Sequence, residues 1–338
     1  MTPQMPAARL DLEKRELRLE KVPVPEPGPQ EVRVRVAAAG VCLSDIHLID
    51  GTLSPAHGAD GVVTLGHEVA GTVDAVGPGV RGWRQGTRVV LLPGQLRGDG
   101  AVVTRGVDFD GGWAQFVLAR RDTLVRIPDE LPFEQAALIP DAVSTPWAAI
   151  TSTARVQPAE TVGVWGVGGL GAHAVQLLRM SGVSLIIAVD PRPSARERAL
   201  SLGADVALAP DDPTLPDVVS RGTQGRGLNV AFDFAGVPAA RDQAMELLGW
   251  SGRMVVVGMW DGPVTIASGV RFGYLRQAVL GHYGSEMVHL EQLVRMAGDG
   301  ALDLSRSVGE VFDLADVQEA VARLRNGEQS HARLVLRP

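Results

Sequence analysis

The sequence predicts an α/β protein made of a β-rich, barrel-like part and a doubly wound parallel sheet. Three observations lead there. A strand, a glycine turn, a helix and a second strand follow one another between Thr161 and Asp190. Apolar runs alternating with helical patterns continue to about Val257, and such alternation builds a parallel sheet with helical crossovers. Ahead of this region, up to about Glu130, short strands are separated by glycine and proline turns.

The glycine unit defines the second part. Val162–Trp165 is a short apolar run ending in Gly166-Val167-Gly168-Gly169-Leu170-Gly171. A helical pattern follows, with Val175, Leu177 and Leu178 apolar and His173, Gln176 and Arg179 on the other side. Leu185–Val189 is a second apolar run that stops at Asp190, 24 residues past the first glycine (190 − 166). Strand before, helix after and an acid at the second strand's end are the context a dinucleotide fingerprint requires. The glycines permit a tight turn and the close approach of a pyrophosphate, which then sits on the helix N-terminus. A glycine turn that merely packs helix on strand is the competing reading, and it would not call for the acid.

Taken in order, the chain begins with strands broken by proline over residues 8–39. Leu17 and Leu19 precede the stiff Val22–Pro29 turn, and Val32, Val34 and Val36 alternate with Arg33 and Arg35 as in a half-buried strand. Further strands are expected at Val69–Val76, Gly86–Leu92 and Trp113–Leu118. From Leu131 to Ser152 the pattern is helical, carried by Ala136, Ala137, Ile139, Trp147, Ala148 and Ile150. Strands at Val206–Leu208, Leu228–Phe234 and Met254–Val257 then extend the parallel sheet. Beyond Gln277 the chain is expected to return to the first part, with a helix near Leu290–Ala297 and a last strand at Arg333–Leu336. The predicted domains are residues 1–142 with 279–338, and residues 143–278.

Composition narrows the function classes. A length of 338 residues suits about two domains, and 45% hydrophobic with 21% charged residues is ordinary for a globular chain. A net charge of −7 without a basic block argues against nucleic-acid binding. Cys42 is the only cysteine, which excludes an internal disulfide and fits a reducing compartment. With no charged-then-apolar leader pattern and no run of membrane-spanning length, a cytoplasmic location and no membrane partner are expected.

Chemistry-bearing residues precede the glycine unit. Gly40-Val41-Cys42-Leu43-Ser44-Asp45-Ile46-His47 puts a thiol, a hydroxyl and an imidazole within a short span after a strand. Leu65-Gly66-His67-Glu68-Val69-Ala70-Gly71 adds a histidine and an acid in a glycine-flanked turn, and Pro140-Asp141-Ala142 a lone acid at a helix start. Cysteine, histidine and carboxylate are competent zinc ligands, and a catalytic zinc takes three with one position open. Spacing alone does not establish a site, because a free cysteine also packs as a small buried hydrophobe.

Gly40-Val-Cys-Leu-Ser-Asp, Gly66-His-Glu-Val-Ala-Gly and Gly166-Val-Gly-Gly-Leu-Gly, in that order, resemble the zinc-dependent alcohol dehydrogenases of the medium-chain dehydrogenase/reductase superfamily. The resemblance spans nearly the whole chain and implies a GroES-like catalytic domain plus a Rossmann domain, with the active site in the cleft between them. It implies Cys42, His67 and Asp141 as ligands of one catalytic zinc, with aspartate where most relatives have a third cysteine. Glu68 matches the acid that can approach the metal, or else a carboxylate behind its ligands. Thr145 matches a residue packed against the nicotinamide, and Arg333 one that reaches the pyrophosphate. Gly166, Gly168, Gly169, Leu170, Gly171 and Asp190 are the remaining cofactor contacts.

The sequence departs from the family in three places. Pro93–Gly112 lacks the cysteines of a structural zinc lobe, so no structural zinc is expected and turns and packing must hold that segment. Leu43 stands where some relatives have a basic pyrophosphate contact. Thr52–Thr64 is unusually glycine-rich, and His57 within it is expected to be exposed.

The reaction implied is reversible hydride transfer between an alcohol and its aldehyde or ketone. By the resemblance Ser44 would take the hydroxyl proton and His47 would pass it to solvent through the cofactor ribose. Asp190 predicts NAD over NADP by repelling a 2′-phosphate, although Arg192 nearby weakens that preference. Ser44, Pro93, Trp113, Trp147 and Met259 are the pocket candidates and lean toward an apolar alcohol. A homodimer or homotetramer is expected, pairing through an edge strand near Val264–Ile266. A zinc-free quinone or enoyl reductase and a non-catalytic nucleotide-binding protein are the alternatives, separable by metal content and turnover.

Overall fold

The computed structural model describes residues 2–57, 61–327 and 332–338. The chain forms two units, Met1–Ser144 with Ser285–Pro338, and Thr145–Gly284. Part of the Thr52–Thr64 segment, residues 58–60, lies outside the described residues. His57 itself is exposed.

The first unit is built on the long strand Glu31–Val41. It pairs antiparallel with Val69–Val76, with Phe116–Arg120 and with the C-terminal strand Arg333–Arg337. The alternation read from the sequence holds: Val32, Val34 and Val36 are buried in the core. On the other face Arg33 and Arg35 pack on the Phe116 ring and pair with Asp74. Strand pairing is tight enough that a Cβ on Gly71 would lie 2.1 Å from the Arg35 carbonyl oxygen. Register shifts at Arg33/Val34 and Val36/Ala38 let the strand bend as it crosses its partners. The other expected strands run as Arg88–Leu91 and Phe116–Arg120, shorter or later than their apolar patterns.

The cysteine-free segment Pro93–Gly112 is held by hydrogen bonds around one buried arginine. Gly94–Leu96 and Val102–Thr104 form a hairpin. Arg105, fully buried, donates from Nη1 to the carbonyls of Asp110 (3.3 Å) and Leu118 (2.7 Å) and lies over the Phe109 ring. Burial pushes its pKa down to about 10, with Asp110 and Glu31 opposing. Asp108 accepts from the backbone N–H of Thr104 and of His57, and Asp110 from that of Thr64.

The helix expected over residues 131–152 is four short pieces. Helical turns at Phe133–Ala136 and Ser144–Ala148 alternate with π-helical turns at Ile139–Val143 and Ala149–Thr153. Pro140 and Pro146 have no N–H to donate, so the regular ladder cannot run through. Five-residue bonds from Val143 to Leu138 and from Ala154 to Ala149 take over. One of these wide turns carries Asp141.

The second unit is a six-stranded parallel sheet in the order Val206–Leu208, Leu185–Val189, Thr161–Trp165, Leu228–Asp233, Leu248–Val256, Ala278–Gly281. Order reverses between Thr161–Trp165 and Leu228–Asp233, the switch point where such sheets bind ligands at their carboxyl ends. The helix Gly169–Met180 follows the glycine turn as expected. His173, read as lying on its polar side, is buried and hydrogen-bonded to the Gly169 carbonyl oxygen (2.6 Å), which supplies the partner its ring needs there. Val264–Ile266, expected to be an edge strand, is irregular and exposed; the sheet ends instead at Val206–Leu208 and Ala278–Gly281. Pro263, directly before it, has no N–H to give a ladder.

A buried ion pair closes the carboxyl end of Leu228–Asp233. Arg241 Nε donates to Asp233 Oδ2 at 2.6 Å, and Asp233 Oδ1 accepts from Gly236 N–H at 2.8 Å. Both side chains are almost wholly inaccessible. Arg241→Ala should therefore cost about 3–5 kcal/mol in urea unfolding, because it leaves a carboxylate buried without its cation. A loss below about 1 kcal/mol would show that the pair contributes little.

Candidate metal centre and nucleotide turn

Cys42 caps the helix Leu43–Asp50 where the strand Glu31–Val41 ends. His67 and Glu68 lie in the turn before Val69–Val76, and Asp141 in the first π-helical turn. Trp113 ties the first two stretches together. Its indole N–H donates to the Gly40 carbonyl oxygen at 3.0 Å, and its ring fills the space beside Gly66, where a Cβ would meet it at 2.2 Å. Gly66 also has a φ of +95°, so glycine is required there twice over. This corrects the reading of Trp113 as a pocket residue: it is fully buried in the core of the first unit.

Those elements bring four donors together. One ligand atom each from Cys42, His67, Glu68 and Asp141 lie within 4.8 Å of one another. Cys42 Sγ is 3.6 Å and His67 Nε2 3.5 Å from Asp141 Oδ2. Zinc bond lengths of about 2.0–2.3 Å in a tetrahedron require ligand–ligand separations of roughly 3.3–3.8 Å. The donor set and its spacing therefore fit zinc.

The surrounding charges fit a cation as well. Burial disfavours a proton on His67, but Asp45, Asp141 and Cys42 outweigh it and hold the ring's pKa well above the usual histidine value. Burial pushes the Glu68 carboxyl up to about 7; Arg333 opposes this and Asp141 adds to it. Arg333 is buried in the cluster. Its Nε donates to Glu68 Oε1 at 3.0 Å, and its Nη2 lies 3.3 Å from both Cys42 Sγ and Asp141 Oδ2. Glu68 also accepts from Ala142 N–H, and its Oε2 occupies the space a Cβ on Gly40 would need.

Asp45 is the residue that sequence reasoning passed over. It is fully buried, accepts from Cys42 N–H at 2.8 Å, and faces His67 Nδ1 at 3.5 Å. A carboxylate behind a ligating histidine fixes the ring's tautomer and orientation and raises its basicity. Its signal was present, as the acid three residues after Cys42. Ser44 and His47 are partly exposed on the same helix, three residues apart and so on one face. Ser44 Oγ donates to Cys42 Sγ at 3.0 Å. Leu43 is exposed.

The second unit holds the glycine turn. Gly166 has a φ of +86°, and a Cβ there would meet the Ala235 backbone at 2.7 Å; one on Gly171 would lie 1.8 Å from the Gly166 carbonyl oxygen. Gly168 differs, since a Cβ would meet only Arg192 Nη2 at 3.9 Å. Two glycines are thus demanded by the fold, and the third faces open space. Gly169 and Leu170 begin the helix. Asp190, 2% exposed, accepts from Val167 N–H in the turn at 2.7 Å. Thr145 is buried, and its carbonyl oxygen bonds with His282 Nε2 at 3.0 Å.

Known proteins resemble this chain over most of its length. Residues 28–129 match the family described as alcohol dehydrogenase GroES-like domain, and residues 169–297 that described as zinc-binding dehydrogenase. The chain is similar to sorbitol dehydrogenase of Bacillus subtilis, 32% identical over 76% of each chain. It is also similar to (R,R)-butanediol dehydrogenase of the same organism, 30% identical over 76% of this chain and 78% of that one. Among solved structures, the alcohol dehydrogenase of the hyperthermophilic archaeon Aeropyrum pernix superposes with a TM-score of 0.87. It is 33% identical and covers 98% of this chain and 100% of its own.

Asp45→Asn keeps the acceptor for Cys42 N–H but removes the charge behind His67. Zinc affinity should fall about 10–100-fold, read by competition with a chelator. An unchanged affinity would remove Asp45 from the site.

Proposed function

Since the chain belongs to the zinc-type alcohol dehydrogenases of the medium-chain dehydrogenase/reductase superfamily, we propose that it interconverts an alcohol and its aldehyde or ketone with a nicotinamide cofactor. The observation that carries this reading is the buried set of Cys42, His67 and Asp141 at the spacing of zinc ligands. Bound zinc supplies a Lewis acid that lowers the pKa of an alcohol and stabilises the alkoxide.

The chain's own residues do the rest. Cys42, His67 and Asp141 hold the metal, and Asp45 holds the His67 ring. Glu68, kept in place by Arg333 and Ala142 N–H, is a carboxylate in reserve beside the ligands. Ser44, whose hydroxyl is hydrogen-bonded to the Cys42 sulfur, takes the alcohol proton in this reading. His47, one helical turn on, passes that proton to solvent. Gly166–Gly171 would hold the cofactor, Asp190 its adenosine ribose, and Thr145 would pack against the nicotinamide. NAD is the hydride acceptor in this reading. By the resemblance Arg333 is the residue that would reach the pyrophosphate; its guanidinium is bonded to Glu68, Cys42 and Asp141.

The partners in this reading are a small alcohol or carbonyl compound and further copies of the chain. No helix among the described residues is long and apolar enough to cross a membrane, and the lone thiol suits the cytoplasm. Val264, Ile266, Val270 and Tyr274 of the second unit leave large side chains exposed, which supports a homodimer or homotetramer. Size-exclusion chromatography with light scattering should return two or four chain masses; a single chain mass would exclude it.

Cys42→Ala and Asp141→Ala should each lose bound zinc and, with it, NADH formation across primary, secondary and cyclic alcohols. Losing several kcal/mol of transition-state stabilisation corresponds to about three orders of magnitude in rate. Zinc-free Cys42→Ala protein with full activity would refute the mechanism.

A further inference from the structure

One imidazole bridges the second half of the broken helical stretch. His282 directly follows the strand Ala278–Gly281, and its backbone N–H donates to the Val256 carbonyl oxygen at 3.0 Å. The ring thus leaves the carboxyl end of the sheet from an anchored backbone. Its Nε2 lies 3.0 Å from the Thr145 carbonyl oxygen, and its Nδ1 2.8 Å from Thr153 Oγ1. A carbonyl oxygen can only accept, so Nε2 carries the proton. In the neutral ring Nδ1 is then the acceptor, and the Thr153 hydroxyl donates to it. Both ring nitrogens are used, and the tautomer is set.

The two partners stand eight residues apart (153 − 145). They bracket the change from the helical turn Ser144–Ala148 to the π-helical turn Ala149–Thr153. A regular helix would hold such a span through its own ladder. Here Pro146 has no N–H to donate, and the step from four- to five-residue bonding shifts which N–H each carbonyl can meet. The sheet supplies the missing restraint. His282 holds Thr145 and Thr153, and Arg253 Nε donates to the next carbonyl oxygen, that of Ala154, at 2.6 Å. Inserted π-turns of this kind are frequent at functional sites. Thr145 and Trp147, which the sequence offers as nicotinamide contact and pocket candidate, both lie inside the bridged span.

We infer that His282 is a positioning residue for the nicotinamide. By bridging Thr145 and Thr153 it fixes the backbone from which the Thr145 side chain meets the nicotinamide ring. It acts through Thr145 rather than on the reacting atoms. This inference rests on reading Thr145 as the nicotinamide contact, and a test that reads the two ends of the cofactor separately distinguishes its failure from that of the nucleotide reading.

Full-length protein is titrated with NADH, followed by nicotinamide fluorescence, and with 5′-AMP, followed by calorimetry. The second ligand carries the adenosine end alone. His282→Ala should weaken NADH about tenfold, the loss of two hydrogen bonds, and change 5′-AMP by less than about threefold. His282→Gln should bring NADH back to within about threefold of wild type, because its amide N–H can donate to Thr145 and its amide oxygen accept from Thr153. Thr153→Val keeps the ring and should weaken NADH about threefold, which tests the same bridge if His282→Ala does not fold. The inference is overturned if NADH affinity survives both His282→Ala and Thr153→Val, or if His282→Ala weakens NADH and 5′-AMP alike. It is equally overturned if His282→Gln is as impaired as His282→Ala. Wild-type protein that binds neither ligand would overturn the nucleotide reading itself.

Discussion

Burying a thiol, an imidazole and two carboxylates side by side is affordable only if positive charge is buried with them, and the first unit is arranged around that requirement. An isolated buried carboxylate costs several kcal/mol, and each further one raises the cost for its neighbours. Here the compensation is Arg333, which reaches Glu68, Cys42 and Asp141 together. Arg333 begins the C-terminal strand, which pairs with Glu31–Val41, the strand that leads to Cys42. The sheet that closes the unit therefore also delivers the counter-charge. The same negative surroundings that raise the pKa of His67 also suit a divalent ion.

Several small commitments keep this cluster in register. Gly40 is bare because Glu68 occupies the volume of its side chain, and Gly66 because Trp113 does the same. The Trp113 indole then bonds back to Gly40. Two ligand-bearing stretches that are far apart in sequence are spaced by one aromatic side chain and two absent ones. Asp141 comes from a third element, where proline interrupts the helix and the wide turn takes its place. Substitution of either glycine would shift a ligand rather than merely strain a turn, since the obstacles are Glu68 itself and the side chain that spaces Gly66.

How much of this was legible in the sequence depends on the range of the interaction. Local patterns carried over well: the alternation of Val32, Val34 and Val36, the strand–turn–helix around Gly166, and the strand Val69–Val76 all lie where period and turn chemistry put them. The four donors that the fold brings together, Cys42, His67, Glu68 and Asp141, stood out in their motifs. The broken helix at residues 133–153 was less so, because a helical period survives in side chains even where Pro140 and Pro146 force wider turns. Val264–Ile266 misled for the opposite reason, as three suitable residues do not make a strand without a partner edge. The roles of Asp45, Trp113 and Arg333 needed the tertiary structure, since each acts on residues that are remote in sequence.

The two units show one device used in opposite senses. In the first, an arginine beside acids stabilises a cluster that is almost wholly enclosed, and nothing about it is free to rearrange without exposing charge. In the second, Arg192 and Asp190 form a similar fork, but one partner is buried and the other reaches solvent. Burial opposes ionisation of Asp190, while Arg192 and the N–H of Val167 overcome it and hold the pKa below the usual aspartate value. The carboxylate is therefore fixed and charged, and the guanidinium is the part that can move at modest cost, since its charge remains solvated when it leaves. An acid at the end of a Rossmann strand is commonly read by its identity alone. Here its neighbour already occupies most of the acid's acceptor sites.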